Sequence, residues 1–390
     1  MKESICIQNF GPLKDINIED IKPFTVLIGE SGSGKSTLMK VLALFRWLYK
    51  MQNIRAYLKH SNISKSPFRF RMETYLKNCG FSQLDLREAR ISYSVETKSG
   101  GKHTITCSKG KWGVPDMRLP QGDISFNKIA YISETRNLIP IWAEKGAASK
   151  EDLGFYFNEV FSDFDLAANE ITELLFPYLK VKFRIQKTQS GKKYMVLPTE
   201  GKPFEIRLKD ASSGMQNAIP TTLIIEYFSK YFDFKKAFDR SVLGYLSESD
   251  RLTDFRPAAN LSDLHKKIYI HIEEPELSLY PDAQRQLIAS LVDKCFASGR
   301  AGHEMELILA THSPYVINYL NLLIKAFDKN EKVDGAGYDF DKLAVYLIED
   351  GKNEDLKSLN RLVDTNPLSE TINAIYNEYA NLGNGQSVKQ

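Results

Sequence analysis

No stretch of this 390-residue chain approaches the roughly 18 consecutive apolar residues that a membrane-crossing helix needs. The best runs, such as Phe24–Ile28, are strand-sized. Residues 1–11 have neither the apolar region nor the small-residue cleavage site of a secretory signal. Only four cysteines are present, Cys6, Cys79, Cys107 and Cys295, spaced too widely for a disulfide framework or a zinc site. They read as free thiols, and the expected location is a reducing cytoplasm. There is no internal repeat and no sustained heptad pattern. The net charge of +3 is too small to argue for nucleic acid by itself.

What is present is an ordinary globular composition: 43% apolar and 26% charged residues, far from that of a disordered chain. The length fits one large domain with insertions or two closely joined lobes. Charge is uneven along it. Residues 180–209 hold nine Lys or Arg against only Glu200 and Glu205. That stretch is either a solvated hairpin face or a contact for a phosphate backbone.

The opening reads as strands, with Ile5 and Ile7 alternating and Gly11-Pro12 interrupting, before the apolar strand Phe24–Ile28. A helix follows over 38–51, then a polar, mostly helical stretch over 52–87 with the look of an inserted arm. Short strands are expected at 91–95 and 103–107 around a Ser99-Gly100-Gly101 turn, and another at 128–132. Residues 151–179 read as largely helical, and 181–208 as a hairpin turning at Ser190-Gly191. A helix near Ser213 and buried strands at 268–272, 307–310 and 343–348 complete an α/β pattern, with a helix at 283–292 between the first two. A last amphipathic helix covers 369–379. The expected division is 1–50 and 205–390 as the two parts of one lobe, with 51–204 inserted between them.

Residues 29–37 form a complete phosphate-binding loop, Gly29, Gly32, Gly34, Lys35, Ser36 and Thr37 standing at the G-x-x-x-x-G-K-S-T spacing between a strand and a helix. The glycines let backbone N–H groups turn onto phosphates, and the helix N-terminus adds favourable dipole charge. Lys35 would reach the β- and γ-phosphates of ATP, and Ser36 would hold Mg²⁺. A second signal is the strand 267–272 running into Glu273-Glu274-Pro275. Two acids at a strand's carboxyl end lie where open α/β sheets place ligands. Glu273 would anchor the Mg²⁺ and Glu274 would polarise the attacking water. His312 follows the next apolar strand, placed to hydrogen-bond a γ-phosphate.

Together these motifs resemble the ABC-type ATPases of the SMC, RecF and OLD group. The resemblance implies an α/β, SMC-like head with an inserted, mainly helical and β-hairpin middle. It matches Glu273 to an acid that is more often Asp, and His312 to the switch histidine. It also matches 211–216 (Ala-Ser-Ser-Gly-Met-Gln) to the signature motif and Leu277-Ser278-Leu279 to the D-loop. From the residues alone, 211–216 is a helix N-cap with a small turn. In the family, the signature motif of one copy caps the nucleotide of another, so Ser212, Ser213 and Gly214 become nucleotide contacts in a head-to-tail homodimer or larger oligomer. Gln121 is the nearest candidate for the family's Q-loop glutamine.

Residues 131–136 (Tyr-Ile-Ser-Glu-Thr-Arg) resemble a segment of the anti-phage branch, in PARIS, Septu and retron-associated ATPases. There it lies near the nucleotide, which makes Arg136 a candidate phosphate or interface residue; read alone, Glu134 and Arg136 form a surface pair. The 78 residues after His312 are too few for the nuclease domain of OLD proteins. The acids Glu331, Asp334, Asp339 and Asp341 read as scattered and solvated, so no intrinsic nuclease is expected. The expected function is an ATP-hydrolysing subunit of an anti-phage system, holding a separate effector, itself a nuclease, until a phage component triggers release. The alternatives are a RecF-like DNA repair or recombination ATPase, with DNA on 180–209, and an ATP-dependent interaction protein with negligible turnover.

Overall fold

The computed structural model describes residues 1–63, 71–115, 118–145, 154–189, 191–248, 251–257, 263–297 and 302–383. The first half contributes strands β1 (Lys2–Phe10), β2 (Leu13–Ile18) and β3 (Phe24–Ile28), then helices α1 (Lys35–His60) and α2 (Met72–Asn78). Strands β4 (Arg90–Glu96), β5 (Lys102–Ser108), β6 (Lys111–Gly113) and β7 (Ser125–Ile132) follow, then helices α3 (Ile139–Lys145) and α4 (Phe155–Glu170). A second set of strands is β8 (Glu173–Phe176), β9 (Val181–Thr188), β10 (Gly191–Pro198) and β11 (Ile206–Arg207). Helices α5 (Ser213–Lys230), α6 (Phe234–Phe238) and α7 (Gly244–Glu248) lead to β12 (His265–Glu273), α8 (Pro281–Phe296), β13 (Glu304–Thr311) and α9 (Pro314–Asp328). The chain ends with β14 (Leu343–Glu349), β15 (Lys352–Asp355) and α10 (Asn366–Gly383).

Among the described residues eleven strands form one sheet, in the order β6-β5-β4-β1-β2-β15-β14-β3-β13-β12-β7. Its parallel half runs from β14 through β3, β13 and β12 to β7. These strands are covered on both faces, which is why β3 is buried at all positions and carries a single polar side chain, Thr25, instead of alternating. Side chains still divide by parity: Phe24, Val26 and Ile28 enter one core, and Leu27 enters the other. The other half is antiparallel. Strand β15 joins the two halves, antiparallel to β14 and in register with β2 at Lys352 and Asp15.

Of the polar, mostly helical stretch expected over 52–87, the helices are present as the end of α1 and as the surface helix α2, residues 64–70 lie outside the described residues, and the first part is buried instead of polar surface. Helix α1 continues to His60 with Gln52, Asn53, Ile54 and Tyr57 buried, because it lies between the parallel strands and β4–β5. The segment 51–204 is woven into the fold: β4–β6 widen the main sheet, and β7 is the neighbour of β12. Over 151–179 the helix stops at Glu170 and gives way to β8; residues 151–153 lie outside the described residues. The β9–β10 hairpin forms as expected, with Ser190 of its turn outside the described residues.

A buried charge cluster ties the halves together. Arg46 of α1 donates to Glu3 of β1 (2.9 Å) and Glu306 of β13 (2.7 Å), with its guanidinium over the Tyr269 ring. Lys267 of β12 pairs with both acids, and Tyr93 and Tyr269 donate to Glu3. Burial, with the Arg46 charge, holds His271 down at about 3, so it is neutral. Its Nδ1 therefore donates to the Ala130 carbonyl (3.2 Å), leaving Nε2 to accept from Arg46 (3.3 Å). Replacing Arg46 with Met leaves two buried carboxylates undercompensated, and the expected loss is about 3–5 kcal/mol. A urea unfolding midpoint within error of wild type would show that the cluster does not hold the halves together.

Candidate active site

Because β3, β13, β12, β7 and β14 are parallel, their carboxyl ends share one edge of the sheet, where ligands of such sheets sit. One strand, β13, separates β3 from β12. The phosphate loop and the acid pair thus stand about 10 Å apart, two strand spacings. His312, just past β13, falls between them.

The loop leaves β3 at Gly29, where a side chain would place Cβ 2.2 Å from the Ile348 carbonyl oxygen of β14, so only glycine fits. Gly32 lies in the loop and Gly34 caps α1, both with left-handed backbone. Lys35 is buried, and its Nζ donates to the Gly29 and Glu30 carbonyls at 2.8 Å each. Burial lowers its pKa, against the opposing charges of Glu274 and Glu276. Ser36 is exposed and Thr37 half-buried at the first turn of α1. A cleft of about 880 Å³ opens here, lined by the loop, His312, the ends of β14 and β15, and the first turn of α10.

On the acid side, Glu273 is buried and accepts from the Tyr131 hydroxyl at 2.7 Å. Glu274 has left-handed backbone (φ 44°), uncommon for a residue with a side chain. Its N–H donates to the Ala310 carbonyl at 2.8 Å. The Glu274 carboxylate lies 2.9 Å from His312 Nε2. Burial and the neighbouring Glu276 push Glu274 up to about 8, while burial and the Lys35 charge push His312 down. Both shifts favour the uncharged forms, so the contact is a hydrogen bond instead of a full ion pair.

The structure corrects the reading of Arg136. It is fully buried and bonded to backbone: it donates to the Ser133 carbonyl (3.1 Å), the Glu273 carbonyl (2.7 Å) and the Glu274 carbonyl. It braces the acid turn from behind instead of facing a phosphate or a partner. Gln121 is also displaced. It precedes β7, at the opposite end of that strand from the nucleotide edge. Glu276 is the residue that sequence reasoning missed. One of its oxygens accepts from Thr311 Oγ1 (2.6 Å) and the His312 N–H (2.9 Å), fixing the histidine loop. Its only signal was a third acid two residues after the pair.

Ser212 and Ser213 are exposed, and Ser212 caps α5 by accepting from the Met215 N–H. Gly214 packs so closely on Ser278 and Leu279 that a Cβ would lie 2.7 Å from the Ser278 carbonyl. None of the three lines the phosphate-loop cleft. Ser36 and Glu273 suit a magnesium ion completed by phosphate oxygens and water: one is an exposed hydroxyl, the other a carboxylate with Oε1 already held by Tyr131. Among the described residues no three His, Cys, Asp or Glu form a metal cluster, and no helix is long and apolar enough to cross a membrane.

A glycine-lined loop on a helix N-terminus, facing an acid strand across one intervening strand, defines a P-loop ATPase with an α/β fold. The profile described as AAA ATPase domain matches residues 1–109 and 155–317, and the chain belongs to that family. No curated protein matches it significantly. Among solved structures, the recombination mediator protein RecF (RecF-ATPrS, RecFOR pathway) is similar at 13% identity and TM-score 0.34, over 91% of this chain and 98% of that one. An ATP-binding cassette in a dimeric post-hydrolysis state with ADP and Pi is similar at 11% identity and TM-score 0.31, over 91% and 100%.

Two expectations follow from the acid turn. A carboxyl whose folded pKa is raised favours the fold while protonated and loses that contribution as pH rises toward its folded value. Between pH 5 and pH 9 the nucleotide-free wild type should therefore lose melting temperature relative to Glu274→Gln; parallel curves would contradict the raised pKa. Arg136→Met should destabilise the protein by about 1–3 kcal/mol per unsatisfied carbonyl. It should also lower ATP turnover, although the side chain does not line the cleft; unchanged melting and turnover would remove its bracing role.

Proposed function

We propose that two copies of this chain close head to tail on ATP, the signature motif of each capping the nucleotide in the phosphate loop of the other. One observation carries this reading: Ser212 and Ser213 are exposed and absent from their own chain's cleft, so a second chain is needed to bring them to a nucleotide. Their loop is also mechanically tied to the acid turn. Gly214 abuts Ser278, and the Leu277 N–H donates to the Glu274 carbonyl at 3.1 Å. Contact at the signature motif would reach the hydrolytic acid through those bonds.

In this mechanism backbone N–H groups of the loop and Lys35 bind the phosphates, Lys35 exchanging its loop carbonyls for phosphate oxygens. Ser36 and Glu273 would hold Mg²⁺, which when bound neutralises charge on the β- and γ-phosphates. His312 turns from Glu274 to the γ-phosphate and takes the proton of their hydrogen bond with it. Glu274, left as a carboxylate, orients water and takes its proton as the water oxygen bonds to the γ-phosphorus and ADP leaves. Arg136 and Glu276 keep these two groups in position.

For the load, DNA is the reading with a surface on the molecule. Of the nine cations at 180–209, Lys180, Lys182, Arg184, Lys192, Arg207 and Lys209 are engaged by Glu200, Glu173, Asp165 and Glu144. Lys187, Lys193 and Lys202 have no acid partner among the described residues and are available to phosphates. The second reading is an anti-phage subunit that holds a separate effector until a phage component intervenes. It is supported by the resemblance of 131–136 and by the self-neutralised majority of the basic stretch, which leaves DNA little to grip.

With Glu274→Gln, turnover should fall by about 100-fold or more, ATP should stay bound, and the measured mass should double with ATP. Ser212→Arg should keep ATP binding and block the doubling. A Glu274→Gln chain that binds ATP and stays monomeric overturns the sandwich. Binding to duplex DNA through three free lysines should weaken with a log–log salt slope of about 3 per copy. Undetectable DNA binding transfers the proposal to the effector.

A further inference from the structure

Helix α10 is amphipathic. Leu368, Ile372, Ile375, Tyr376, Tyr379 and Leu382 recur at three- and four-residue steps on one face, while Glu370, Asn373, Asn377 and Asn381 occupy the other. Leu368, at the start of that stripe, packs on the main core. Beyond it every described residue from 370 to 382 is exposed, and the five remaining large side chains of the stripe are 50–84% exposed. A helix of this length is marginal in water on propensity alone and is normally held by burial of its apolar face. This face has nothing of its own chain against it among the described residues.

We infer that the apolar stripe of α10 is an interaction surface for a second copy of this chain, buried when two copies close on nucleotide. Three observations select that occupant. The first turn of α10, at Pro367, Leu368 and Glu370, lines the same cleft as the phosphate loop and His312. A copy arriving to complete that cleft would therefore meet α10 at its rim. Tyr376 and Tyr379 can each bury roughly 150–250 Å². With the three aliphatic side chains beside them, all half or more exposed, the stripe offers an area of the order of the ~800 Å² per partner in a standard interface. Lastly, the charges within α10 are Glu370 and Glu378, with no Lys or Arg. An anionic lipid surface would need basic residues there.

This inference rests on the nucleotide-dependent pairing proposed above, so the experiment separates the two. The Glu274→Gln chain, full length and with ATP, is compared with the same chain carrying Ile375→Asp and Tyr379→Asp. Dimer dissociation is followed by mass photometry, ATP binding with a fluorescent analogue, and folding by thermal melting. The expected result is dimerisation weakened at least tenfold, with ATP binding and melting unchanged. A dimer of unchanged affinity in the double variant overturns the α10 surface while leaving the sandwich intact. If the Glu274→Gln chain is monomeric with ATP, the sandwich and this inference fall together. Independently of any destabilising change, p-benzoylphenylalanine in place of Tyr376 should photo-crosslink two copies only when ATP is present. Crosslinking solely to another protein from the cell, with none between copies, assigns the face elsewhere and overturns the inference.

Discussion

The left-handed turn at Glu274 is the constraint on which the nucleotide edge depends. β12 must stop pairing at Glu273 and throw the next carboxylate across β13 toward His312, a backbone state that disfavours a side chain by about 1–2 kcal/mol. It is kept there by the buried Arg136 guanidinium on two successive carbonyls, and by the Glu274 N–H on β13. Strain held by surrounding bonds is typical of residues that must be ready before substrate arrives. Glu276 completes the arrangement from the far side by gripping the histidine loop.

Farther down the same strand, the cluster around Arg46 makes a different contribution. Two acids and two cations from α1, β1, β12 and β13 satisfy one another in the buried interior. Apolar residues of equal volume could be as stabilising, but they would not dictate which strands meet. The cluster sets Arg46 of α1 against β1, β12 and β13 together. Since α1 begins at the phosphate loop and β12 ends in the acid pair, the same contacts hold both halves of the catalytic edge in one frame.

Local patterns are legible in the sequence where local physics governs them. The phosphate loop, the acid strand, the histidine after β13 and the cap at Ser212 all depend on a few consecutive residues, and they lie where their spacing indicated. The basic stretch forms the hairpin its pattern indicates, but most of its charge is neutralised, largely by Glu144, Asp165 and Glu173, which lie elsewhere in the chain. Arg136 failed for a related reason: an arginine among polar neighbours looks exposed until the fold buries it beneath β12.

The sequence by itself determined that this chain binds ATP, because phosphate recognition is made by contiguous backbone and a helix N-terminus. It also determined the α/β class, through apolar runs that only doubly covered strands require. Tertiary structure alone decided that 51–204 is woven into the main sheet, that Arg136 braces instead of binds, and that Glu276 belongs to the site. It also decided that Ser212 and Ser213 stand away from their own chain's cleft. Those outcomes depend on contacts between residues far apart in the chain, whose pairing is settled by burial and hydrogen-bond satisfaction across the whole fold and leaves no periodicity to read.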